Sequence, residues 1–217
     1  MRSDNETAGQ KGRTFTEAAR RAQIVAAAID TIAESGYAQA SLARIASRLG
    51  VSKGVIAYHF DGKQDLINEV IAEVAAKGAA YIRSRAMAES SGAGRLRALI
   101  EANLAFMCEH RNHLIALVEI AASTRGGDGG GAAIAGVHRA GVAGLRDLLA
   151  SFQAQGEFRE DFDPQVMAMA IRSAIDAVPP RLARDPGFDI GHYGRELANL
   201  FDAATRNEAA RTGTPGQ

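Results

Sequence analysis

Between Ser52 and His59 the chain gathers side chains suited to holding a polyanion rather than to catalysing a reaction. Ser52, Lys53 and Gly54 are followed by Tyr58 and His59, a set of small, basic and hydrogen-bonding groups. On one short helix they would form the narrow polar face that enters a DNA major groove. Gly54 would let the backbone approach a phosphate closely, and amides at the helix N-terminus could donate to a phosphate oxygen. Val55, Ile56 and Phe60 can anchor the same helix inward. Many small helical cores carry a similar pattern. The spacing alone therefore leaves a DNA-binding role and a purely structural one open.

Other polar residues carry two readings each. Asn103 interrupts the apolar stripe of Leu96, Leu99, Ile100 and Met107, where a polar group is either satisfied in the core or lines a cavity. His138, between Ile134 and Gly141, is read the same way. Phe106 and Met107 could line a pocket, but core packing explains them as well. Glu119, Arg172 and Asp176 interrupt apolar helices, and ion pairing within a dimer interface is the role expected of them; Arg172 is also a ligand-pocket candidate. His110 and His113 lie at metal-like spacing beside Glu109, but neither a cysteine partner nor a second cluster accompanies them. No metal site and no cofactor are expected. Cys108 has no basic cluster beyond His110 and Arg111 to activate it as a redox sensor. The glycine run to Gly131 lacks the Gly-Lys-Ser/Thr ending of a phosphate loop, and no hydrolase or metalloprotease motif appears, so an enzyme is not expected.

The elements that must position these residues are helical throughout. All five prolines lie at or beyond Pro164, and no stretch alternates as a strand would. The pattern predicts an all-α fold of about nine helices. The first begins near Thr14, where Thr14 and Glu17 have capping-box spacing, and ends at Gly36. Ser41 caps the second, whose inner face is Leu42, Ile45, Ala46 and Leu49, and Gly50 stops it. Ser52 caps the third, and a fourth starts at Asp61 or Gly62 and runs to about Arg85. After a polar linker at 89–94 come predicted helix 5 around Leu96–Met107, helix 6 from about His113 to Ser123, and a mobile glycine-rich loop at 125–131. Predicted helix 7 covers Ala132–Gln155, helix 8 runs from Pro164 to Val178 before Pro179 and Pro180 end it, and helix 9 covers Ile190–Arg206.

Composition bounds the reading further. A hydrophobic share of 47% and a charged share of 23% over 217 residues suit a globular chain that can bury its own core. The single cysteine excludes an internal disulfide. No signal-peptide or membrane-length apolar run appears, so a cytoplasmic location with no membrane partner is expected. Net charge is zero, yet residues 11–63 hold eight bases against four acids, an excess of +4, while the remainder is mildly acidic. That asymmetry permits nucleic-acid binding without establishing it.

One further pattern is specific. Ile24, Val25 and Ile29, then Ser35-Gly36-Tyr37, then Ser41-Leu42, Ile45-Ala46 and Leu49-Gly50-Val51-Ser52-Lys53-Gly54, then Tyr58-His59-Phe60, Lys63 and Leu66 coincide in one register. Over residues 20–75 this resembles the DNA-binding segment of the TetR (tetracycline repressor) family. The resemblance implies an N-terminal three-helix helix-turn-helix domain and a larger C-terminal helical bundle. It implies DNA contacts, mostly to phosphate, at Lys53, Gly54, Tyr58, His59 and Lys63, with Ser52 and Val55 near base edges. Ser41 and Arg44 join this candidate set, although Arg44 reads equally as a solvated charge. Ala57 and Leu42 stand where the family often has tyrosine and threonine, which shifts weight to Lys11, Arg13 and Arg44. The domains expected are a flexible arm at 1–13, the DNA-binding domain at 14–77, a ligand-binding and dimerisation domain at 78–208 and a disordered tail at 209–217. The resemblance further implies a homodimer through predicted helices 8 and 9 that binds a double-stranded palindromic operator and is released by a small-molecule effector. Asn103, Phe106, Met107, His138 and Arg172 are the effector-pocket candidates. The competing reading is a helical small-molecule-binding protein or enzyme whose N-terminal trihelix is only structural.

Overall fold

The computed structural model describes residues 4–123, 130–185 and 187–208, with side chains over 16–123, 130–182, 185 and 187–208. Ten α-helices and no strands occur among them: α1 Asp4–Ser35, α2 Leu42–Leu49, α3 Lys53–His59, α4 Lys63–Ala86, α5 Gly92–Glu109, α6 Arg111–Ser123, α7 Gly130–Ala154, α8 Pro164–Asp176, α9 Val178–Arg184 and α10 Ile190–Thr205. Nine match the helices expected. The tenth, α9, is opened by the two prolines read as an end signal: they occupy its first turn, where a missing N–H leaves no bond unmade. Helix α1 reaches back to Asp4 rather than starting at Thr14, and no proline stands in its way. Most of the expected glycine-rich loop at 125–131 lies outside the described residues, and its last two glycines open α7. The tail from residue 209 also lies outside them. Among the described residues no helix is long and apolar enough to cross a membrane.

The chain divides into two compact units. Unit 1 takes residues 1–73 and 115–131; unit 2 takes 74–114 and 132–217.

In unit 1, Ile24, Ala28, Ile29 and Ile32 of α1 are buried at helical spacing. Ile45 and Ala46 of α2, Ile56 of α3, and Leu66, Ile67, Val70 and Ile71 of α4 are buried as well. Glycine stops two of these helices. Gly50, at φ 65°, holds the left-handed C-cap of α2 and donates back to Ala46 and Ser47 carbonyls. Gly36, at φ 78°, does the same for α1, its N–H meeting the Ile32 carbonyl at 2.9 Å.

In unit 2, α5, α7, α8 and α10 share one core that includes Leu96, Ile100, Leu104, Leu145, Leu149, Ile171, Ile175, Leu197 and Phe201. Helix α10 lies so close to α5 that a Cβ at Gly194 would sit 3.0 Å from Leu104 Cδ1. Arg159 ties the α7–α8 connection to the end of α10, its N–H donating to the Thr205 carbonyl at 3.0 Å and its Nε to the Ala204 carbonyl at 2.6 Å.

Candidate nucleic-acid interface

The candidate interface is built on α2, α3 and the start of α4, all in unit 1. Helix α3 has seven residues, too few to be stable by its own hydrogen bonds. Its side chains divide sharply. Ile56 is fully buried, and Phe60 just past the helix end is 2% exposed. Lys53, Gly54 and Ala57 are exposed, Tyr58 is 78% exposed, and Val55 is half-buried. Two apolar anchors thus hold a helix that leaves Lys53, Gly54, Ala57 and Tyr58 to solvent.

Ser41 and Ser52 behave differently although both are N-caps. Ser41 Oγ accepts the Arg44 backbone N–H at 3.2 Å and so closes the first turn of α2. Ser52 has the extended backbone of an N-cap but its side chain makes no cap hydrogen bond, contrary to expectation. Its hydroxyl is not spent on α3. A Cβ added to Gly54 would meet nothing closer than Ser52 Oγ at 3.6 Å, an ordinary contact. The protein's own packing therefore gives no reason for glycine there. Arg44 is exposed on α2, whereas Arg48 pairs with Glu34 of α1. The side chains of Lys11 and Arg13 lie outside the described residues.

His59 ends α3. Its ring meets Tyr58 edge-on at 5.0 Å, and its Nδ1 is shut from water without a partner. Lys63, expected to meet phosphate, is half-buried and committed: its Nζ donates to the Tyr37 carbonyl at 2.8 Å and lies 4.1 Å from the Tyr37 ring centre. Burial pushes its ammonium pKa below the ordinary lysine value. It fastens the α1–α2 turn to the head of α4.

Two charged residues at this site, Arg21 and Glu69, carry no signal in the local sequence pattern, and a third, Glu119, has a different partner from the one expected. Arg21 of α1 bonds the His59 carbonyl and Glu69 of α4. Glu119 of α6 accepts the Tyr37 N–H at 3.3 Å. Glu119, expected in an interfacial ion pair, serves the α1–α2 turn within the single chain, where the glycine at 36 leaves it room.

The five ligand-pocket candidates are not gathered at one place. Asn103 is buried and its side-chain amide donates to the Leu99 carbonyl of its own helix at 2.8 Å. Met107 packs partly buried on the unit 2 core. Phe106 stacks on His110 at 4.3 Å, with Tyr81 and His113 edge-on to it. His138 of α7 and Arg172 of α8 converge on Asp176, at 2.8 Å and 2.6 Å. Among the described residues no group of three or more His, Cys, Asp or Glu could hold a metal ion.

Comparison with known proteins bears on this segment first. Residues 24–70 match the family model described as bacterial regulatory proteins, tetR family. The chain is 39% identical over 85 residues to the HTH-type transcriptional regulator BetI 1 of Chromohalobacter salexigens, covering 39% of this chain and 42% of that protein. It thus spans less than half the length of the curated relatives it matches. Solved structures extend the likeness of fold to most of the chain. The regulator FadR of Bacillus subtilis in complex with stearoyl-CoA superposes with a TM-score of 0.74 at 20% identity, over 85% of this chain and 98% of that one. A regulator from Saccharomonospora viridis in complex with choline gives 0.77 at 20% identity, over 88% and 100%.

Proposed function

We propose, from the premise that residues 24–70 are the helix-turn-helix domain of a tetR-family regulator, that the whole chain is a ligand-responsive transcriptional repressor. The carrying observation is α3: a short helix pinned by Ile56 and Phe60 that leaves Lys53, Gly54 and Tyr58 to solvent. This is the shape and polarity that a major groove admits. Lys53, Gly54, Tyr58 and His59 hold phosphates, and Ser52, Val55, Ser41 and Arg44 lie close enough in sequence to share the contact surface. Lys63 belongs to this set as the fastener of the turn rather than as a free cation.

The dimer forms through α8 and α10. Val166 and Met169 on α8 and Leu200 on α10 are more than half exposed in the single chain, at 63%, 52% and 62%. Large apolar side chains left open on two neighbouring elements are what a self-complementary interface covers. A two-fold dimer then reads a palindrome whose half-sites lie roughly 34–36 Å apart, or a multiple of that.

The effector binds unit 2 around Phe106. His110 Nδ1 there is buried without a partner, a polar atom a ligand could satisfy. Two proteins of this fold were crystallised with ligands as unlike as an acyl-CoA and choline, so the fold does not dictate the effector's class. The effector releases DNA by binding the DNA-incompetent state more tightly, by a few kcal/mol.

Operator selection from a random duplex library with the purified protein tests the reading. Enrichment of a palindrome, bound with a salt-dependent affinity well above that for random duplex, is the expected result. Recovery of no sequence above background sinks it.

A further inference from the structure

We infer that Arg21 is the positioning residue of the DNA-reading helix: a side chain of α1 that clamps the C-terminal end of α3 against α4. The inference rests on the proposed DNA-binding role of α3, but its geometry stands by itself within unit 1.

Arg21 lies one turn before the first buried residues of α1, and its guanidinium makes three contacts. Nη1 donates to the carbonyl of His59, the last residue of α3. Nη2 donates to Glu69 Oε2 of α4 at 3.1 Å. The guanidinium carbon lies 4.3 Å from the centre of the Phe60 ring, the aromatic anchor just past α3. One planar fork thereby joins α1, the end of α3 and α4.

The end of α3 needs such a partner. The last carbonyls of a helix have no intrahelical donor. In a seven-residue helix those carbonyls are a large part of the whole. At this end only the Phe60 N–H, which donates to Ile56 at 3.0 Å, continues the helical pattern before the chain turns extended. A cation at a helix C-terminus is also favoured by the helix dipole. The hydrogen bond falls on the carbonyl of His59, whose imidazole is proposed to meet phosphate, and the ring contact falls on Phe60 next to it, while the ion pair to Glu69 ties both to α4. The orientation of Tyr58 and His59 relative to Lys53 and Gly54 is therefore held from behind, by a side chain of another helix.

Arg21 is partly exposed, with 36% of its side chain accessible, so the competing role is a direct contact to phosphate. The two roles differ in what replaces them. Lysine retains the charge for phosphate but lacks the planar fork that serves a carbonyl and a carboxylate together. Glu69 separates them by sign. Removing an acid makes the protein more attractive to DNA by simple electrostatics. If Glu69 holds Arg21, removing it loosens α3 and weakens binding.

The experiment uses the full-length protein as wild type, Arg21→Lys and Glu69→Gln. Three readouts are taken: affinity for the selected operator, affinity for random duplex, and amide hydrogen exchange over Ile56–Phe60 without DNA. Expected for both variants is a loss of operator affinity of about tenfold, the size of one hydrogen bond to a charged group. Random-duplex affinity should be kept in Arg21→Lys and kept or raised in Glu69→Gln, and exchange at the end of α3 should be faster in both while the helical circular dichroism is unchanged. Wild-type operator affinity in Arg21→Lys, or unchanged or tighter binding in Glu69→Gln, overturns the clamp. If no duplex is bound even by the wild type, the DNA-binding proposal fails first. Hydrogen exchange then still decides the clamp, with unchanged protection of α3 in both variants overturning it.

Discussion

Gly54 shows how a single residue can separate folding from function. It is exposed on a helix, and a Cβ there would touch only Ser52 Oγ at an ordinary distance. Gly54→Ala should leave the protein as stable or more stable, by up to about 1 kcal/mol, because alanine favours helix. It should nevertheless weaken operator binding, since the added methyl stands where a phosphate is proposed to approach. Thermal melts and operator titration of the one variant check both signs, and a variant that binds like the wild type removes Gly54 from the interface. Cys108 makes a second residue-level case. Cys108 is exposed, yet partial desolvation of its thiol, then the carboxylates of Glu109 and Asp189, push its pKa above the ordinary value. The thiolate fraction at any pH near neutrality is lowered, so iodoacetamide should modify Cys108 more slowly than an unstructured cysteine peptide at the same pH. Equal or faster modification contradicts this. The core of unit 1 was legible because Ile24, Ala28, Ile29 and Ile32 recur at helical spacing and burial follows that spacing. Arg21 and Glu119 were not. Their partners Glu69 and Tyr37 lie 48 and 82 residues away, and no rule of local spacing reaches so far.

At the scale of elements, caps and stops explain what could be read in advance. Gly50 and Gly36 mark ends by positive φ, and Asp163 before Pro164 opens α8 by accepting the Gln165 and Val166 amides at 2.7 and 3.2 Å. The start of α1 was misplaced because a capping box can be written inside a helix as well as at its head. The pair Pro179–Pro180 was read as a terminus, yet the same fixed φ that ends one helix suits the first turn of the next. Capping also gives a paired prediction. Ser41→Ala removes the acceptor of the Arg44 N–H and should cost about 1 kcal/mol of stability. Ser52→Ala removes no cap bond and should cost less, while reducing operator affinity if the free hydroxyl meets DNA. Denaturant midpoints for both variants, with operator titrations, test the pair, and an equal stability loss contradicts the distinction.

For the molecule as a whole, the neutral net charge conceals an uneven distribution, and the assembly state carries the next test. Val166, Met169 and Leu200 cost little to change in an isolated chain because they are already half in water. Met169→Glu should therefore change the stability of the protomer by no more than about 0.5 kcal/mol. If α8 and α10 form the interface, it should convert the dimer to monomer in sedimentation velocity and abolish high-affinity operator binding. A dimer that persists in this variant places the interface elsewhere. The carboxylate of Glu119 carries one last consequence, for protein engineers rather than for regulation. Unit 1 is not continuous in the chain: residues 115–131 belong to it, Ala116 and Ile120 are fully buried, and Glu119 supplies the acceptor for the Tyr37 N–H. A chimaera made by transplanting residues 1–73 alone onto another protein would take the Glu119 acceptor away from that amide. It would also strip away two buried side chains that α6 contributes. Moving this unit intact is therefore a two-segment graft, in which the stretch around Glu119 travels with α1–α3 and the start of α4.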